Sequence, residues 1–148
     1  FMDKKFMDVA LDEAKIAALK DEVPVGAVIV KNGEVIASAH NLRETLNDPT
    51  AHAEILAIKK ASGILKNWRL NECEMYVTLE PCPMCAGAIL QSRIRKLYIG
   101  TIDPSMGCCG SVVDLVQNRY LKTALDIKWF NDNRCSSILT NFFRSKRK

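Results

Sequence analysis

The sequence predicts an α/β protein, a three-layer α/β/α fold on a five-stranded mixed sheet. Three observations carry this. Short apolar runs alternate with segments of helical period, two of the runs are joined through Asn32-Gly33, and the elements read in the order αββαβαβ(loop)βα. Such alternation places helices on both faces of a sheet. A chain of 148 residues suits one domain with one core, spanning 2–148.

Phe6, Met7, Ala10, Leu11, Ala14, Ala17 and Ala18 recur at helical spacing, so residues 3–21 are expected to form a first helix. Val25–Val30 and Glu34–Ala39 are strand-like runs, and Asn-Gly between two strands is a strong hairpin signal. Asp48-Pro49-Thr50 is expected to open a helix that runs to about residue 62 and is ended by Gly63. Met75–Leu79 reads as a strand, and Pro83 begins a helix to about Arg93. Leu97–Gly100 and Leu125–Trp129 are the remaining strands, and residues 133–145 form the last helix.

The 48% hydrophobic and 26% charged fractions are ordinary for a soluble globular protein. Val23 to Val30 is the longest apolar stretch, far too short to span a membrane, so no membrane association is expected. The first dozen residues carry Asp3, Asp8 and Asp12 and read as an amphipathic helix, not a signal peptide; Met2 is the expected natural start, and Phe1 an extraneous remnant. Two of the six cysteines fall in a metal-type motif. Cys73 and Cys135 read as buried thiols, and the adjacent Cys108-Cys109 are poorly placed to ligate one ion together. A reduced, cytoplasmic setting is expected.

The net charge of +4 is unevenly placed. Arg134, Arg144, Lys146, Arg147 and Lys148 stand among the last fifteen residues with no acid, so the remainder is close to neutral. A polyanion partner is one reading of that tail. A helix C-terminus whose cations complement its dipole is the other.

The chemistry concentrates in Thr50-Ala51-His52-Ala53-Glu54 and Pro81-Cys82-Pro83-Met84-Cys85. One imidazole and two thiolates make a three-ligand set for one zinc ion per chain, and three protein ligands leave a tetrahedral position for water. Glu54, two residues beyond the histidine, is not needed as a ligand and is free to move protons. Cys82 and Cys85 are spaced i, i+3 at a predicted helix start, where free N–H groups favour thiolate. A structural zinc site is the competing reading. It would want a fourth ligand, such as His40 or Cys73, and would leave Glu54 without a role.

The H-x-E…P-C-x-x-C pattern is that of the zinc-dependent nucleobase deaminases. A narrower resemblance covers the chain from about Val23 to its C-terminus. Glu22-Val23-Pro24-Val25-Gly26-Ala27-Val28, Asp48-Pro49-Thr50-Ala51-His52-Ala53-Glu54-Ile55, Tyr76-Val77-Thr78-Leu79-Glu80-Pro81-Cys82, Met84-Cys85-Ala86-Gly87-Ala88-Ile89 and the terminal Phe142-Phe143-Arg144 resemble the bacterial tRNA-specific adenosine deaminases. The resemblance implies a homodimer of the cytidine deaminase fold that converts the wobble adenosine of a tRNA anticodon to inosine. It implies His52, Cys82 and Cys85 as zinc ligands and Glu54 as proton shuttle. Asn41 and the Ala53 backbone would hold the flipped base, and Asp103 and Ser105 would lie in a loop near the RNA. Cys108-Cys109 departs from the commonest form of that loop. Phe142 and Phe143 offer a flat apolar surface with Arg144 to meet phosphate, or one of the two phenylalanines belongs to the core.

The expected partner is therefore a tRNA anticodon stem-loop. Two other functions stay open at this stage: a free-base or nucleotide deaminase acting on guanine or cytosine, and a non-catalytic zinc-stabilised RNA-binding domain.

Overall fold

The computed structural model describes residues 3–147; Phe1, the expected start at Met2 and the tail residue Lys148 lie outside them. Nine elements follow the expected order: α1 (Lys4–Leu19), β1 (Gly26–Lys31), β2 (Glu34–His40), α2 (Ala53–Leu65), β3 (Cys73–Leu79), α3 (Pro83–Gln91), β4 (Lys96–Thr101), β5 (Asp126–Trp129) and α4 (Asn133–Lys146). The sheet order is β2-β1-β3-β4-β5. β1 runs antiparallel to both β2 and β3, whereas β3, β4 and β5 are parallel, so the sheet is mixed as expected. The β1–β2 turn has both central residues at positive φ, 52° at Asn32 and 74° at Gly33. That is the two-residue geometry whose twist matches paired strands.

Each face of the sheet carries its own apolar layer. On one, Phe6, Met7, Ala10 and Leu11 of α1 and Cys135 of α4 pack over Val28, Val30, Tyr76 and Tyr98. The two tyrosine rings stack with centroids 4.1 Å apart. On the other, Ala53, Ala57 and Ala61 of α2 and Ala86 and Ile89 of α3 cover Ala27, Ile29, Met75, Val77, Leu97 and Ile99. The small residues along α2 allow its backbone close to the strands. Gly26 does the same beneath α1, where a Cβ would run into the Ala10 carbonyl oxygen.

The α2 boundaries differ from the expectation at both ends. Asp48 accepts hydrogen bonds from the Thr50 N–H and hydroxyl, so this segment is a turn ahead of the helix and His52 is the N-cap. Gly63 lies within α2, which ends where Lys66 takes a left-handed φ of 52°. Local side-chain bonding won over capping at Thr50. Cys73 and Cys135 are buried free thiols, as expected.

The strand register sets where the site must lie. Gly26 at the start of β1 pairs with His40 at the end of β2, and Leu79 at the end of β3 pairs with Thr101 at the end of β4. Asn41, Glu80 and Asp103 each follow one of those strand ends and so emerge at the same edge. The carboxyl ends of parallel strands are the usual place for a ligand in an open α/β sheet.

Candidate active site

His52 is the N-cap of α2, and Cys82 is the N-cap of α3 with Pro83 at its first position. Neither side chain caps its own helix, so imidazole and thiol are free to face one another. His52 Nδ1 lies 3.6 Å from Cys82 Sγ and 3.4 Å from Cys85 Sγ. All three donor atoms fall within 4.8 Å of one another. A tetrahedral ion with bonds of about 2.3 Å to sulfur and about 2.0 Å to nitrogen sets such ligands about 3.5 Å apart. The observed spacings match, so this donor set fits a metal ion. Neither His40 nor Cys73 joins it among the described residues. Its Nδ1 donating to Glu13, His40 belongs instead to a polar contact between β2 and α1.

A hydrogen bond from Cys85, joined by one from His52, holds the Cys82 thiol down to about 4. The same bond to Cys82, with burial, drives Cys85 upward. The bond to Cys82 also raises His52, against the effect of burial. Glu54, at the second position of α2, is 4% exposed, and its carboxyl hydrogen-bonds the Cys85 thiol. Burial pushes that carboxyl up to about 7.

A cavity of about 270 Å³ opens onto the cluster. Asn41, His52, Ala53, Glu54, Cys82 and Asp103, from four separate segments, line its walls. Asn41 is 8% exposed, donates from Nδ2 to the Val23 carbonyl and accepts from the Arg43 N–H at Oδ1. One amide hydrogen and one lone pair remain for a ligand. Ala53 is the first residue of α2, where the N–H has no intrahelical acceptor.

A second, wider groove of about 690 Å³ shares the Arg43, Asp103 and Met106 wall and continues to Ser105, Phe143, Arg144 and Arg147. Phe142 does not line it. Phe142 is half-buried against the edge of Phe143, with the rings at 80°, and takes Lys146 over its face. Neither phenylalanine is a core residue; Cys135 alone is buried in α4 among the described residues. The Asp103 carboxylate turns back on its own loop, accepting from the Ser105 N–H and hydroxyl and from the Met106 N–H.

The sequence reading gave no site role to Arg43, Glu80 or Met106. Arg43 stands two residues from Asn41, and Glu80 two before Cys82. Proximity to motif residues was the signal available for both.

A family profile described as MafB19-like deaminase matches residues 1–147. The chain is 48% identical over 147 residues to the tRNA-specific adenosine deaminase of Bacillus subtilis, covering 99% of this chain and 91% of that one. A solved structure from a study of A-to-I editing by tRNA:A34 deaminases at the wobble position matches with a TM-score of 0.89 and 44% identity, over 93% of this chain and all of the other. The guanine deaminase of Bacillus subtilis matches less completely, with a TM-score of 0.65 and 39% identity over 69% of this chain and 66% of that one.

Proposed function

The chain belongs to the tRNA-specific adenosine deaminases, and on that premise we propose that it hydrolyses the wobble adenosine of a tRNA anticodon to inosine, releasing ammonia. The observation that carries the reading is the continuity of the metal-side cavity with a groove that ends in Phe143, Arg144 and Arg147. A free-base deaminase has no use for that extension, and a structural metal site has none for the buried, non-ligating Glu54.

His52, Cys82 and Cys85 would hold one zinc ion, since a thiolate pair with one imidazole is a zinc-type donor set. When bound, zinc supplies Lewis-acid activation of a water at neutral pH. Glu54 would take one proton from the attacking water and pass it to the purine ring nitrogen, then take the remaining proton of the added hydroxyl and give it to the amine, which leaves as ammonia. Burial keeps this carboxyl off bulk water, and its place two residues from His52 sets it beside the reacting carbon. Asn41 uses its remaining donor and acceptor on the base, and the Ala53 N–H meets the ring edge. An adenine within a helix could not enter this cavity, whereas an anticodon-loop base can be splayed out at small cost. Arg144 and Arg147 meet phosphate, with Phe143 offering a stacking face; Asp103 and Ser105 shape the loop wall between the two cavities.

The chain acts as a single catalytic domain over 2–148. The six cysteines are free, and four are buried outside the metal cluster, which supports a reducing, cytoplasmic setting. Among the described residues no helix is long and apolar enough to cross a membrane. Homodimer formation is supported by the exposed apolar side chains of Val112, Val113, Tyr120 and Leu121 in one segment. The test is ammonia release from an anticodon stem-loop against free adenosine, cytosine and guanine. Turnover of guanine in preference to the stem-loop would overturn the RNA reading.

A further inference from the structure

Glu80 is 2% exposed and follows the last residue of β3. Its carboxylate accepts four hydrogen bonds, all from one loop. Oε1 takes the Asp103 N–H at 2.9 Å and the Ser111 hydroxyl, and Oε2 takes the N–H groups of Cys109 at 2.9 Å and Ser111 at 3.2 Å. Bonds to a charged acceptor are about twice as strong as neutral ones, and backbone donors of a turn leave a concavity suited to an anion. The loop has closed around the carboxylate so tightly that a Cβ on Gly107 would run into it. Both ends of a nine-residue excursion are therefore tied to one side chain, and that excursion carries Asp103 and Met106, which wall both cavities.

We propose that Glu80 is a positioning residue: it is the template on which the Asp103–Ser111 loop is built, and it thereby sets the wall that meets the nucleotides flanking the reacting base. The second half of this rests on the RNA reading above. The metal cluster and Glu54 stand on α2 and α3, so loss of the template loosens the binding wall and leaves the chemical groups in place.

Glu80→Gln keeps the shape but has one oxygen, so in either orientation a backbone N–H of the loop faces an N–H. Two measurements test the role. In amide exchange on the free protein, at least one of Asp103, Cys109 and Ser111 should exchange about tenfold or more faster in Glu80→Gln, with α2 and α3 unchanged. In steady-state kinetics on the anticodon stem-loop, KM should rise about tenfold while kcat changes less than about threefold. Unchanged loop exchange, uniform acceleration across the chain, or equal KM for both proteins each overturns the proposal. Should Glu80→Gln fail to fold, Ser111→Ala is the milder change: it removes the hydroxyl partner of Oε1 and keeps the N–H partner of Oε2. It should shift exchange and KM in the same directions by a smaller factor, and no shift in either overturns the proposal. If the wild-type protein does not act on the stem-loop, the RNA reading fails while the exchange comparison still decides the template.

Discussion

Lys146, in the last turn of α4, is ion-paired with Asp21, just beyond α1, and its ammonium lies 5.5 Å from the Phe142 ring centre. The basic tail is therefore not uniformly available to a polyanion. Arg144 and Arg147 line the groove, whereas Lys146 ties α4 to α1. With about 0.7 per phosphate contact on a single strand, Arg144→Ala/Arg147→Ala should flatten the slope of log affinity against log salt by about 1.4 at most. Lys146→Ala should leave that slope nearly unchanged. Stem-loop binding at several salt concentrations measures both, and an unaltered slope in the double variant would remove phosphate contact from these arginines.

The metal set predicts its own spectroscopy. One zinc per chain should show two sulfur ligands, with nitrogen and oxygen completing the shell, in X-ray absorption. Cys85→Ala should lose the metal and all measurable turnover. A signal of three or four sulfurs would move the site to the structural class.

Glu54→Ala should retain zinc and fold, because the carboxylate is outside the donor set. Turnover should fall by roughly 10²–10⁴-fold, the usual contribution of a general acid–base group, or more because one residue serves several transfers. Zinc content and single-turnover rates on the stem-loop check this; near-normal rates would take the shuttle role away from Glu54.

Glu13 on α1 binds β2 through both oxygens, accepting from His40 Nδ1 at 2.6 Å and from the Ser38 hydroxyl at 2.7 Å. Burial works to raise its carboxyl, but the bonds from His40 and Ser38, with the nearby Lys60 charge, outweigh it and hold the group below its ordinary value. Lys20 faces His40 from the other side at Nε2. A carboxyl depressed in the folded state stabilises fully above its unfolded value, about 4.3, and loses that contribution as pH falls through the folded value. Glu13→Gln should cost about 1–2 kcal/mol at pH 7, and the gap to wild type should close below about pH 4. Urea unfolding of both proteins across that range measures the gap; a difference independent of pH would mean that Glu13 acts by packing.

What could be read directly from the chain was governed by short-range geometry. The H-x-E and C-x-x-C spacings place their side chains through the local geometry of a helix start, with His52 and Cys82 as the N-caps, and Asn32-Gly33 selects its turn through its own backbone preferences. Apolar periodicity placed all nine elements in order. It could not place the ends of α2, because capping at Thr50 competes with the Asp48 side chain, and Gly63 can be helical once tertiary packing supports the turn.

Long-range relationships were decided only by the folded sheet. Asn41, Glu80 and Asp103 are about twenty to sixty residues apart in sequence, and strand register alone brings them to one edge. The same holds for Glu80 beneath the Asp103–Ser111 loop, for Lys146 against Asp21, and for Phe143 in the groove with Phe142 turned away from it. Spacing within one helix or turn is set by bond geometry that any copy of the segment would share. Contacts between segments depend on which strands pair and which faces they bury, and that is a property of the whole chain's packing.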